Sequence, residues 1–136
     1  MTSIHKRTAE RRHRIVCRKL AKLLPGCDIK YNGEYGIDLT VFYKGKSTFI
    51  EIKTCEKIIM NGLKPRLGMF HFKQAQHDDL IAKDGWYAFY VGGLMFACPH
   101  FFIDANKQHV SVRWCDVLID CPDDWLEWLR KDIYTK

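Results

Sequence analysis

Apolar residues recur at helical spacing over positions 8–24. Ile15, Leu20, Leu23 and Leu24 form a stripe with Val16 and Cys17 beside it, and charged residues fill the other faces. Pro25-Gly26 ends that helix. The pattern then changes period. Residues 37–43 (Ile-Asp-Leu-Thr-Val-Phe-Tyr) and 48–53 (Thr-Phe-Ile-Glu-Ile-Lys) are rich in β-branched and aromatic residues, and Lys44-Gly45-Lys46-Ser47 lies between them. This predicts a β-hairpin, with a short strand at 28–31 before it. Gly62, Pro65 and Gly68 predict a loop over 57–68. A second helix is expected over 70–83, ending near Gly85. A buried strand follows at 86–91, closed by Gly92-Gly93. Further strands are expected at 94–98, 101–103 and 110–114. Pro122 and Asp123-Asp124 open a last helix, 122–132. The sum is an α/β fold with a central mixed β-sheet flanked by helices, in one domain spanning 1–136.

Composition narrows the class. An apolar content of 47% supports a folded core, and the net charge of +6 favours a polyanionic partner such as nucleic acid. The charge is polarised. Residues 1–24 carry eight Lys or Arg against the single acid Glu10, whereas six acids face three bases from Asp116 onward. The basic helix, with Arg11, Arg14 and Arg18, is suited to phosphate, although a merely solvated face remains open. Six cysteines include no CxxC pair and no zinc-ligand spacing, which points to free thiols in a reducing, intracellular and cytoplasmic setting. No His pair has metal-ligand spacing, and each of the six His is read as surface or core. No signal core or membrane-length apolar run is present, so no membrane partner is expected.

The chemistry concentrates in Gly36-Ile37-Asp38 and Glu51-Ile52-Lys53. Glu51 and Lys53 share one strand face, with Ile50 and Ile52 on the other. A turn of two residues (45–46) or four (44–47) puts Asp38 opposite Lys53 and Thr40 opposite Glu51. Asp38 and Glu51 are then diagonal neighbours, roughly 7 Å apart. A three-residue turn sends Asp38 to the other face. Two carboxylates and a backbone carbonyl are hard ligands that suit Mg²⁺ or Mn²⁺. Lys53 can stabilise charge that develops on an attacked phosphate. An exposed cross-strand ion pair, contributing about 1 kcal/mol or less, is the structural alternative.

Asp38, a twelve-residue gap and Glu51-x-Lys53 across a hairpin, after a helix bearing Glu10, resemble the PD-(D/E)XK nuclease superfamily. The Gly-Ile-Asp-Leu and Ile-Glu-Ile-Lys phrasing is similar to the small archaeal Holliday junction resolvases. The likeness covers roughly residues 8–91, with Ile37 where the motif has Pro. It implies a restriction-endonuclease-like core of order αβββαβ, here with a C-terminal extension ending in a helix. It also implies Mg²⁺-dependent endonuclease activity on DNA, in structured or branched form as one option. Asp38, Glu51 and the Ile52 carbonyl would be metal ligands, with Lys53 the catalytic lysine. Glu10 would ligate directly or through water, or else pair with Arg7 or Arg14. Gln76 falls on an apolar stripe with Met69, Phe72 and Leu80, and resembles a glutamine that members carry near the metal. A structural amide there remains open, with Gln74 and His77 as competitors. Lys64, Arg66 and Lys73 either touch phosphate or solvate a loop. Self-association into a homodimer is left open, and no small-molecule cofactor is expected. A catalytically silent DNA-binding module is the alternative. So is a partner-binding domain that docks through Trp125, Trp128 and Leu129.

Overall fold

A computed structural model describes residues 4–33, 36–104 and 109–135, without the side chains of 4–7 and 109. Lys6 and Arg7 of the basic run, and so the Arg7 pairing open to Glu10, lie outside the described side chains. Helix α1 spans Ile4–Leu23 and buries Val16 and Leu20, with Leu24 buried directly after its end. These lie four residues apart, one above another on a single face. Strands β1 (Asp28–Tyr31), β2 (Leu39–Tyr43) and β3 (Lys46–Cys55) follow, with β1–β2 and β2–β3 antiparallel. Strand β7 (Trp86–Val91) joins β3 in parallel, and β8 (Leu94–Pro99) closes the order β1-β2-β3-β7-β8. The central sheet is therefore mixed, as expected.

The sheet is covered on both faces. Leu39, Val41, Ile50, Ile52, Trp86 and Ala88 point to α1 and to the last helix, α4 (Trp125–Tyr134), which contributes Leu129 and Ile133. The other face carries Tyr87, Phe89 and Phe96 under Phe70, Phe72 and Leu80. Leu129 of the final helix is core, and Trp125 packs against both clusters. Trp128 stays 40% exposed with its edge on Phe102.

Five segments differ from the pattern reading. Residues 57–68 hold a ribbon, β4 (Ile58–Asn61) paired with β5 (Lys64–Leu67). The expected helix over 70–83 is shorter. Its first residues form β6 (Met69–Lys73), paired with β9 (His109–Arg113), and α2 begins only at Gln74 and ends at Ala82. Phe70 and Phe72 are buried while His71 and Lys73 face out, which is a period of two. The stripe Met69–Phe72–Gln76–Leu80 therefore joins a strand to a helix. The strand expected at 101–103 is a 3₁₀ turn, His100–Phe102, and the strand at 110–114 yields at Trp114 to helix α3 (Trp114–Asp120). The last helix starts at Trp125 rather than at Pro122.

Candidate active site

The β2–β3 turn sets the geometry. Lys44 and Gly45 both have positive φ (48° and 76°), the signature of a two-residue type I′ hairpin. Tyr43 pairs with Lys46 and Leu39 with Ile50. The turn is thus one residue earlier than the 45–46 expected from sequence, because the glycine takes the second left-handed position. Paired positions shift by two, so every side chain keeps its face while its partner changes. The ladder ends at Leu39–Ile50, so Asp38, one residue before it, borders Glu51 and not Lys53, and Thr40 faces Phe49. The backbone of Asp38 is turned to β1, since Asn32 N–H donates to its carbonyl at 2.7 Å. The Asp38 and Glu51 side chains lie within hydrogen-bonding reach of each other.

Asp38 is tied in place. Its Oδ2 accepts the Ile52 backbone N–H at 2.8 Å, and Asn32 Nδ2 donates to the Ile37 carbonyl (2.9 Å) and to Thr40 Oγ1 (3.1 Å). An extended residue directs its N–H and C=O to the same edge, so the Ile52 carbonyl also faces the Asp38 side. Glu51 is 6% exposed. Burial pushes its carboxyl up to about 9, helped by a hydrogen bond to Asp38 and by that neighbour's charge, with Lys53 opposing. Lys53 is driven down by burial, while Glu51 and Asp38 hold it up. Its Nζ donates to Gln76 Oε1 at 3.1 Å and lies 5.7 Å from the centre of the Phe72 ring. Gln76 thus reaches the lysine, although it stands in the first turn of α2 and not midway along a longer helix. Gln74 is exposed, and His77 turns away to Tyr87 OH at 2.7 Å.

Helix α1 closes the remaining side. His13 Nδ1 shares a hydrogen bond with Tyr31 OH at 3.1 Å. Burial lowers the His13 pKa, and Asp38, Lys53 and Glu10 all act on it. Burial, then Asp38, also raises the Cys17 thiol and the Tyr31 phenol. The sequence marks neither Tyr31 nor Asn32 as a site residue, and reads His13 only as surface or core. His13 lies three residues after Glu10, on the same helix face, and that spacing was the available signal. Arg11, Arg14 and Arg18 form an exposed flank of α1, with the Arg14 guanidinium 5.7 Å from the centre of the Tyr31 ring. Lys64, Arg66 and Lys73 are exposed, the first two on the β4–β5 ribbon.

Among the described residues, no three His, Cys, Asp or Glu side chains converge closely enough to hold a metal. A cation held here would have Asp38 and Glu51 as its side-chain ligands and main-chain oxygen as a further donor. That set still fits a hard divalent cation that keeps several waters. Two adjoining carboxylates, one of them held protonated by burial and its neighbour, are an arrangement that a dication relieves.

A family model of the PD-(D/E)XK nuclease superfamily domain matches residues 6–93, which holds Asp38, Glu51, Lys53 and Gln76. The chain belongs to the PD-(D/E)XK nuclease superfamily. Its fold is similar to that of Hjc, a Holliday junction resolvase from the archaeal hyperthermophile Archaeoglobus fulgidus. The identity is 12%, the TM-score 0.58, and the match covers 81% of this chain and 87% of that one. It is also similar to the bacterial homing endonuclease I-Ssp6803I. There the identity is 13%, the TM-score 0.55, and coverage 99% and 96%. At these identities the likeness is one of fold. No curated protein matches the chain. Among the described residues, no helix is long and apolar enough to cross a membrane.

Proposed function

We propose that this superfamily member is a Mg²⁺- or Mn²⁺-dependent endonuclease that hydrolyses phosphodiester bonds in DNA, with structured or branched DNA as one form it acts on. The observation that carries the reading is the buried Glu51 hydrogen-bonded to the half-buried Asp38, with Lys53 beside them, held by Gln76. An inward lysine and two inward carboxylates cost free energy to fold, and a DNA-binding module without chemistry has no use for them. Asp38, Glu51 and the Ile52 carbonyl would hold the cation, with Glu10 reaching it through water. When bound, such a cation offsets phosphate charge and acidifies water. Lys53 keeps its ammonium against the attacked phosphate and stabilises the charge that builds there. Gln76 fixes that ammonium by accepting a hydrogen bond from it, which limits the conformations Lys53 visits. Arg11, Arg14, Arg18, Lys64, Arg66 and Lys73 would hold the flanking backbone, and a homodimer would present two such sites to one DNA.

The test is cleavage of plasmid, single-stranded and four-way-junction DNA with Mg²⁺, Mn²⁺, Ca²⁺ or EDTA. Cleavage with Mg²⁺ or Mn²⁺ and none in EDTA is expected. Ca²⁺ should bind without supporting turnover, being larger and tolerant of looser geometry. Robust cutting in EDTA would remove the metal mechanism. DNA binding without cleavage under any cation would leave the silent-module reading in its place.

A further inference from the structure

The β4–β5 ribbon leaves the sheet two residues after β3 and carries an unpartnered apolar surface. Ile58 is 58% exposed, Met60 64% and Leu63, at the tip, 97%. Cross-strand partners share a face, so Ile58 and Met60 lie with Leu67 and Pro65 on one side, and Asn61 lies with Lys64 on the other beside Arg66. An isolated two-stranded ribbon is marginal in water. This one is fixed at its root. Gly68 N–H and Trp114 Nε1–H both donate to the Lys57 carbonyl at 3.0 Å. A Cβ at Gly68 would sit 1.7 Å from the Glu56 carbonyl oxygen, so only glycine allows the crossing. Arg12 of α1 reaches Glu56 at 3.4 Å and joins the root to the basic helix.

We propose that this ribbon is a DNA-groove arm. Lys64 and Arg66 grip backbone phosphates while Leu63 wedges into the base stack and unstacks a step near the site of cleavage. The inference rests on the nucleic-acid reading above and adds how substrate shape would be selected. Charge complementarity favours this occupant. From Lys57 to Lys73 there are four Lys or Arg and not one acid. A two-stranded ribbon fits a major groove about 12 Å wide. An apolar side chain inserted between base steps unstacks them at a cost of a few kcal/mol, least where the DNA is already mismatched or open. Rooted just beyond Lys53, the arm ties any base step it opens to the carboxylate pair.

The experiment uses duplex and four-way-junction oligonucleotides with 2-aminopurine at successive steps, saturated with the full chain in Ca²⁺. A fluorescence rise confined to one or two steps is expected with the wild type. It should be lost in Leu63→Ser and restored in Leu63→Met. Lys64→Ala with Arg66→Ala should flatten the log–log salt dependence of binding by roughly two contacts' worth. Leu63→Ser should also lose the preference for junction over intact duplex, while cutting of a substrate with a pre-opened mismatch is retained. If the wild type binds no DNA, the nucleic-acid reading itself falls. Suppose it binds and cuts, but Leu63→Ser gives the same fluorescence and the same preference. The wedge is then wrong and the reading of the site stands. A drop from dimer to monomer in Leu63→Ser, with unstacking unchanged, would reassign the face to a second copy. Vesicle binding with unchanged unstacking would reassign it to a membrane surface.

Discussion

Two demands meet at Glu51. The hairpin register puts it beside Asp38, and the sheet buries it, so without a cation its carboxyl is held protonated up to about 9. A folded pKa above the unfolded value near 4.5 gives stability that is complete below about 4.5 and is lost as pH rises toward 9. Metal-free protein should therefore lose stability between pH 5 and 9. Glu51→Gln should flatten that loss and be more stable than wild type at pH 8 by at least about 1 kcal/mol. Urea titrations of both proteins in EDTA across the range measure it, and parallel curves would show that Glu51 ionises freely. Asp38 and Lys53 separate metal binding from chemistry. Asp38→Asn removes a negative ligand, so metal affinity and cleavage should both collapse. Lys53→Ala removes a neighbouring cation and should bind metal at least as well. Its cleavage should still drop ~10²–10³-fold, the scale of losing one preorganised charge-stabilising group. Calorimetric metal titration beside single-turnover cleavage reads both. A wild-type rate in Lys53→Ala would reduce Lys53 to a structural ion-pair partner.

The β2–β3 hairpin converts a local turn into site geometry. Nothing lies within 4 Å of a Cβ at Gly45, so its requirement is conformational (φ 76°) and not steric. Gly45→Val should then cost about 1–2 kcal/mol, whereas Gly45→Asn should cost a few tenths, since Asn tolerates the left-handed region. Equal losses in denaturant midpoint would contradict the type I′ turn. The same hairpin marks what the sequence could convey. Alternation fixed which residues share a face, and that survives any even shift of register, so Asp38, Glu51 and Lys53 were found together. Which residue faces which depends on where the turn places its glycine, and composition leaves two positions equally open. Residues 69–73 were misread for a related reason. Met69, Phe72, Gln76 and Leu80 satisfy a helical period, and only pairing with β9, distant in sequence, selects the strand. The contacts of His13, Tyr31 and Asn32 come from tertiary packing between α1, β1 and β2, which no local pattern encodes.

Across the whole molecule, charge sorts into two regions. Exposed Arg11, Arg14 and Arg18 run along α1, which meets β1 through His13 and Tyr31, and Arg12 links that helix to the root of the basic ribbon. A cavity of about 730 Å³ is instead lined by Trp86, Phe101 and Trp128 with Asp84, Asp124 and Glu127. Its acids repel a polyanion, so DNA is expected along the α1–ribbon path and not there. Each phosphate neutralised releases counterions and steepens the fall of affinity with salt, by roughly 0.9 in log–log slope on duplex DNA. Changing Arg11, Arg14 and Arg18 together to Ala should therefore flatten the slope by about two to three. The fold should survive, because all three side chains are exposed and the helix is anchored by Val16, Leu20 and Leu24 on its opposite face. The measurement is duplex affinity from 50 to about 300 mM salt, with far-ultraviolet circular dichroism as the check on folding. Asp124→Lys with Glu127→Lys at the cavity serves as the contrast, since added positive charge off the path should leave the slope within error of wild type. If the α1 variant keeps the wild-type slope, the phosphate path runs along Lys64, Arg66 and Lys73 alone. If the cavity variant steepens it, DNA wraps past the last helix and the two-region picture fails.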